Sequence, residues 1–350
     1  MTNDFALAAA ALRADILDLS RQNSIGELSP WFSEQLDHYI AGEGFFGINK
    51  IEQIRDRIVA RLVNYRAETG KGTVVLGMSG GVDSAVVAAL FKAAGYRVIG
   101  ATMPIHQNPE ETERGVEACQ ALELEHIHAD LSEDYDAALT SFSSIIAASN
   151  IALTGDTSEH GNKIRRGNIR ARTRMKFLYH LAHAVGGFVA STDNFSELVA
   201  GFWTLHGDVG DVAPIQSLFK SWEVVAMARL LGVPEKTWRA TPTDGLGITA
   251  GDEVQLGASY LQWDIITLAI YDSITFDGAD TVEEIRQTLC REWPMNDDDV
   301  TVFNAVVRRI GGSWFKRKNP LNFDHPLVPR LHIIDGIDAA LFVPDSAKEY

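Results

Sequence analysis

Three features of this sequence predict an α/β fold built on a doubly wound parallel sheet. Short apolar runs of strand length alternate with stretches of helical periodicity. Glycine-rich breaks separate them. One such break, between the first strand-like run and the helix after it, carries Ser79-Gly80-Gly81-Val82-Asp83-Ser84. The chain has 350 residues, 46% of them hydrophobic, enough to bury a core without help from disulfides or a metal. At roughly 150 residues per domain, that length allows one large domain with attachments, or two domains.

Residues 1–50 read as helical pieces broken at Gly42-Glu43-Gly44. Ile51, Ile54, Ile58, Leu62 and Tyr65 then recur on one helix face. Thr73 to Met78 is a short apolar run, as expected of a strand buried on both faces. Ser84 to Ala94 is helical and Gly95 stops it. Arg97 to Met103 and Glu125 to Ala129 read as further strands, with a helix over 111–122 between them. A long helix over 169–185, a fourth strand over 187–192 and a helix from Ser221 to Leu231 continue the series. Beyond residue 270 the alternation gives way to helices over 282–289 and 300–310, the basic segment Phe315-Lys316-Arg317-Lys318, and a tail. The expected organisation is a helical extension over 1–50, a catalytic domain over 51–270, and a C-terminal helical extension and tail over 271–350.

Composition excludes several functions. The 31 Lys+Arg against 47 Asp+Glu leave a formal charge of −16, which repels phosphate backbones and anionic lipid over most of the surface. A local basic pocket for a small phosphorylated ligand remains compatible with it. Cys119 and Cys290 are far apart and in no metal-ligand spacing, so neither a disulfide framework nor a zinc site is expected. No apolar stretch reaches about 18 residues without a charged or polar interruption, and the N-terminus lacks a signal peptide's basic start. A cytoplasmic protein that binds neither nucleic acid nor membrane is expected.

The hexapeptide after the first strand carries the chemistry. Its glycines let the chain turn tightly, so that successive amides face one concavity, and the following helix adds unpaired N–H groups and its positive dipole end. Ser79 and Ser84 offer hydroxyl donors, and Asp83 an oxygen ligand for a divalent cation held against phosphates. No G-x-x-x-x-G-K-[ST] occurs here, and G-x-G-x-x-G does not follow this strand. The competing structural reading is a plain strand–helix turn with Ser or Asp as N-cap.

The hexapeptide resembles the pyrophosphate loop of the ATP pyrophosphatases, which adenylate a substrate oxygen. Five further segments resemble the NAD synthetases, among the ammonia-dependent members. They are Gly167-Asn168-Ile169-Arg170-Ala171-Arg172-Thr173-Arg174-Met175, Ser191 to Glu197, Gly201 to Asp208, Pro214 to Lys220, and Pro242 to Leu246 with Asp252 to Gly257. The resemblance covers about residues 50–265. It implies an adenine nucleotide alpha hydrolase-like fold and a homodimer. It also implies ATP-dependent amidation of deamido-NAD through an acyl adenylate, with ammonia as the nitrogen source and AMP and pyrophosphate released.

The same resemblance implies roles. Ser79, Gly80, Gly81, Val82, Asp83, Ser84, Thr192, Lys220 and Thr243 bind ATP or its pyrophosphate, and Asp83 and Glu197 hold Mg2+. Lys220 neutralises the leaving pyrophosphate, and Asp208 binds ammonium and accepts its proton. Asn168, Arg172, Asp208 and Lys316 contact the carboxylate substrate. Each has a structural alternative: an N-cap for Asn168, a turn residue for Asp208, an ST-turn for Thr243, and a solvated basic patch for Lys316. Arg172 and Arg174, two apart on a helix, project differently. One is expected at the site and the other in a structural ion pair, with the match favouring Arg172.

The sequence departs from the family's G-D-G-G-A-D at Gly207-Asp208-Val209-Gly210-Asp211-Val212, where a glycine has become Val209 and the second acid has moved to Asp211. That change motivates an alternative acceptor, nicotinate mononucleotide or another small carboxylate. A non-catalytic nucleotide-binding regulator is the alternative from another class. No cysteine lies among the 78 residues before Ser79, so free ammonia or a separate partner is expected to supply nitrogen.

Overall fold

The computed structural model describes residues 2–23, 27–243, 251–322 and 326. Three helices open the chain, α1 (Thr2–Asn23), α2 (Pro30–Ala41) and α3 (Ile48–Thr69). The alternating section follows as β1 (Thr73–Gly77), α4 (Val82–Ala93), β2 (Arg97–Thr102), α5 (Pro109–Ala121), β3 (Glu125–His128), α6 (Ser132–Ala148), α7 (Glu159–Ala184) and β4 (Phe188–Val189). Then come α8 (Phe195–Ala200), a π-helical turn (Lys220–Val224) running into α9 (Val225–Leu230), α10 (Glu235–Trp238) and α11 (Asp252–Leu256). The helices α12 (Tyr260–Thr275), α13 (Val282–Leu289) and α14 (Asp297–Gly312) lead to a 3-10 turn (Trp314–Lys318).

The four strands are parallel in the order β3-β2-β1-β4. Successive residues of each strand feed opposite layers, as the period of two requires. Val74 and Leu76 join one core cluster and Val75 the other; Val98 parts likewise from Ile99, and Phe188 from Val189. Ala88 and Phe91 of α4 lie in the first layer, with Met175 and Leu178 of α7 in the second. The sheet is thus doubly wound, as expected.

The chain builds β1, β2 and β3 outward in one direction, then places β4 on the other side of β1. The order reverses between β1 and β4, where open α/β sheets leave a crevice at the carboxyl ends of the strands. The loop after β1 begins with the glycine-rich hexapeptide, and the loop after β4 carries Thr192 to Asn194.

The N-terminal extension belongs to the same core. Ile16 of α1 and Trp31, Phe32 and Leu36 of α2 are buried with Trp222, Trp263 and Phe303. Trp31 Nε1 donates to Leu289 O at 3.1 Å, tying residue 31 to the end of α13. Several elements differ from expectation. The helix expected over 169–185 begins ten residues earlier, at Glu159, capped by Ser158, which accepts from the Gly161 amide at 3.1 Å. The expected fourth strand pairs with β1 only at Phe188 and Val189, followed by one bridge from Ala190 to Val212. The long helices α6 and α12 complete the second layer and the C-terminal packing.

Candidate active site

The crevice between β1 and β4 opens into a cavity of about 690 Å³, within the range of small-molecule sites. Ser79, Gly81, Val82, Asp83 and Ser84 line its floor. Gly81 stands at the N-cap position of α4, and no side chain caps that helix, so the reading of Ser or Asp as an ordinary N-cap does not hold. Gly80 has φ +85°, and a Cβ there would lie 2.1 Å from Glu111 O. Glycine is therefore required by both conformation and space. Arg114 Nε donates to Gly80 O at 3.2 Å and fastens α5 to the loop.

The β4 side supplies the facing wall. Asn194 Oδ1 accepts from the Glu197 amide at 3.0 Å, and Glu197 Oε2 accepts from the Asn194 amide at 3.3 Å, a reciprocal cap at the start of α8. Asn194 Nδ2 also donates to Asp83 Oδ1 at 3.0 Å, joining the two loops. Lys220, first residue of the π-helical turn, places its ammonium 2.5 Å from Asp83 Oδ2 and 3.2 Å from Glu197 Oε1. The three side chains are 9–14% exposed. Burial opposes the Lys220 charge, yet Asp83 and Glu197 outweigh it and hold the ammonium above its ordinary pKa. Burial pushes Glu197 up, and Lys220 draws it back. The Lys220 ammonium also lies 5.1 Å from the centroid of the buried Tyr260 ring.

That arrangement tests whether magnesium fits. The space between Asp83 and Glu197 already receives a cation, the donors are hard carboxylate oxygens, and phosphate oxygens would complete an octahedral set. Among the described residues no group of three or more His, Cys, Asp or Glu forms a protein-only metal cage. The two carboxylates therefore suit a metal that arrives with phosphate.

The remaining predicted site residues separate in space. Thr192, Thr243, Asn168, Asp208 and Lys316 line the cavity. Asn168 lies inside α7 rather than at a helix start, so the N-cap alternative fails; its Oδ1 accepts from Thr204 Oγ1 at 2.7 Å. Asp208 Oδ2 accepts from the Thr204 amide at 2.5 Å, which fixes the turn that presents it. Lys316 Nζ donates to Gly201 O at 2.8 Å and to Trp203 O at 2.5 Å, 5.4 Å from the Trp203 centroid, so it is a fastened residue and not a solvated patch. Thr243 Oγ1 donates to Glu111 Oε1 at 2.9 Å; Asp244, Gly245 and Leu246 of the same segment lie outside the described residues. Arg174, not Arg172, lines the cavity, its guanidinium donating to Met103 O at 3.0 Å and Gln107 Oε1 at 2.6 Å. Arg172 lies outside the lining and donates to Leu205 O at 3.2 Å.

Sequence reasoning did not single out Asp193 or Arg114. Asp193 is 6% exposed, and burial pushes its carboxyl up to about 6 against the Ser191 hydroxyl, which it accepts at 2.5 Å; Asp208 and Asp83 push the same way. Its position inside the segment Ser191 to Glu197 was the available signal. Arg114 had none, because its place depends on how α5 packs across the Gly80 turn. The displaced acid, Asp211, accepts from Tyr179 OH at 2.8 Å and the Val189 amide at 3.0 Å, and binds β4 to α7. Neither Val209, Asp211 nor Val212 is among the lining residues.

Comparison with known proteins agrees with this geometry. The family model described as NAD synthase matches residues 54–320. An NH(3)-dependent NAD(+) synthetase of Methanosarcina acetivorans is 31% identical over 276 residues, covering 77% of this chain and 96% of that protein. The NH3-dependent NAD synthetase of Campylobacter jejuni superposes with a TM-score of 0.56 at 26% identity, over 78% of this chain and 99% of its own. The NMN synthetase of Francisella tularensis shares the fold, with a TM-score of 0.61 at 24% identity over 79% of this chain and 99% of its own. A match over residues 54–320, with the glycine-rich loop and the facing acids in one cavity, places this chain in the NAD synthase family.

Proposed function

We infer that this protein is a ligase that forms a C–N bond, amidating deamido-NAD to NAD with ATP and ammonia. The observation that carries this reading is the meeting of the Ser79–Ser84 loop with Glu197 and Lys220 in one cavity, the Lys220 ammonium lying between Asp83 and Glu197. In the first half-reaction the nicotinate carboxylate oxygen attacks the α-phosphorus of ATP, and the α–β bridging bond breaks to release pyrophosphate. In the second, ammonia attacks the acyl carbon, loses a proton, and expels AMP.

The first step gathers negative charge on the departing pyrophosphate, so fixed positive potential should dominate the barrier. The uncapped N-terminus of α4 and the Lys220 ammonium supply it. Arg174 and Asn168 support the carboxylate substrate from α7. Arg172, on the same helix but outside the lining, is offered to the dinucleotide from beyond the single-chain cavity. Asp208 takes up ammonium and accepts its proton as the amide forms. Magnesium, bound by Asp83 and Glu197, would neutralise phosphate charge.

The exposed apolar side chains on one side of the sheet support a homodimer. Phe142 and Ile145 of α6 are 50% and 64% exposed, and Ile151 and Leu153, in the connection to α7, 73% and 58%. Exposed apolar side chains gathered in one stretch of chain suit an interface. No helix among the described residues is long and apolar enough to cross a membrane. Two unpaired cysteines, with the Cys119 thiol pushed up to about 12 by burial, suit the cytoplasm.

Incubation with ATP, magnesium, ammonium and deamido-NAD tests the assignment. NAD, AMP and pyrophosphate in equal amounts are expected; ADP, or no amide, would overturn it. A nicotinate mononucleotide acceptor is not favoured. The residues that motivated it, Val209 and Val212, are absent from the lining.

A further inference from the structure

Asp264 is a carboxylate with no exposure at all, in the second turn of α12 and away from the cavity lining. Burying such a group costs several kcal/mol unless its oxygens are well paired, and an apolar residue would serve ordinary helix packing better. Both of its oxygens are engaged, and by two different elements. Oδ1 accepts from Ser196 Oγ at 2.5 Å, and Oδ2 accepts from the Ser221 amide at 3.1 Å. Ser196 Oγ in turn accepts from the Lys220 amide at 2.9 Å. Ser196 immediately precedes Glu197, and Ser221 immediately follows Lys220.

The first amides of a helical turn have no partner within it. Here those of Phe219, Lys220 and Ser221 are satisfied by Glu223 Oε2 at 2.7 Å, Ser196 Oγ and Asp264 Oδ2. Glu223 is local to the turn, whereas Ser196 and Asp264 reach it from α8 and α12. The backbone that carries Lys220 is therefore fixed to the residue beside Glu197 by two buried links sharing one carboxylate.

We propose that Asp264 and Ser196 form a positioning pair that holds the Lys220 ammonium in register with Asp83 and Glu197. The proposal rests on the role given to Lys220 above, and neither residue touches substrate. A misplacement of about 1 Å at a reacting group can cost a hundredfold in rate, and here it would follow from loss of one hydroxyl.

Two readouts test it on the full chain: steady-state pyrophosphate release, and hydrogen exchange of the Lys220 and Ser221 amides. Ser196→Ala should lower kcat by roughly 10- to 100-fold with KM for deamido-NAD within about threefold, and should speed exchange at Lys220 at least about tenfold. Asp264→Asn, which keeps one acceptor, should show a smaller loss of the same kind and faster exchange at Ser221 or Lys220. Ser196→Ala is the smaller change and keeps the test open if Asp264→Asn does not fold. A wild-type kcat in Ser196→Ala, or unchanged exchange at Lys220, overturns the proposal. So does a uniform rise in exchange along α12 with kcat per folded molecule intact, the sign of a merely structural role. If the wild-type protein releases no pyrophosphate, the assigned reaction fails, while amide exchange still reports whether the pair holds Lys220.

Discussion

Lys220 belongs to a buried ion cluster and carries the role proposed above at the pyrophosphate, and removing it should report on each. In Lys220→Met, Asp83 and Glu197 lose their shared cation at sites 14% and 13% exposed. Breaking a buried pair from one side costs about 3–5 kcal/mol, read as a lower melting temperature. Pyrophosphate release should fall by about 10²–10³-fold or more in protein that remains folded, as for other lost donors at developing charge. Glu223 makes a different prediction. Burial pushes its carboxyl up to about 7, against the Phe219 amide that it accepts. Between about pH 4.3 and 7 the folded chain holds a proton that the unfolded chain has released, so its contribution to stability falls as pH rises through that window. Glu223→Gln keeps an acceptor and removes the titration. The loss of melting temperature from pH 5 to pH 8 should be smaller in the variant than in the wild type.

At the scale of elements, the loop after β1 depends on α5 as much as on its own glycines. Gly80→Ala would press a methyl group to 2.1 Å from Glu111 O at φ +85°. Nucleotide affinity, measured by calorimetry, should fall at least tenfold while the rest of the fold persists. The loop itself was legible, because strand, glycines and helix start are local features of Thr73 to Ala94. So were β2, β3 and the amphipathic α3. Other elements were not, for identifiable reasons. The first ten residues of α7 carry one large apolar side chain, Ile164, with Lys163, Arg165 and Arg166 exposed, and leave no periodic trace. Much of α12 is apolar on every side because packing surrounds it, so period and face both vanish. The helix read from Ser221 to Leu231 is present, but the π form of its first turn was hidden, because its amides are satisfied from 24 and 43 residues away in sequence.

At the scale of the molecule, packing decides two matters that sequence does not. Arg172 and Arg174 are alike in sequence, and only the packing of α7 against β1 and β4 decides that Arg174 faces the cavity of the single chain. The N-terminal extension, which sequence left without a task, is core, with Trp31 and Phe32 buried at 1% and 0% exposure. The apolar area on α6 and its connection to α7 is the feature that a lone chain leaves unexplained. Ile145→Asp puts a charge there, on a side chain 64% exposed. The variant should fold with an unchanged melting temperature at low protein concentration and elute from size exclusion at half the wild-type mass. Wild-type elution as a dimer in both would show that this area is not the interface.

The ammonium lodged between Asp83 and Glu197 has a consequence for how the site fills. With Lys220 in place the two acids share one cation, and burial pushes Glu197 up toward its neutral form, so the spot would be a weak trap for a free dication. Were triphosphate to enter, Lys220 would gain a phosphate partner and could relinquish the carboxylates, whose vacated oxygens would then form an anionic site for a dication. Filling would then be an ion exchange in which nucleotide creates the demand for metal. Calorimetry should find feeble uptake of magnesium by the protein alone and strong uptake with a non-hydrolysable ATP analogue. In Lys220→Met the order should invert, with magnesium binding before nucleotide.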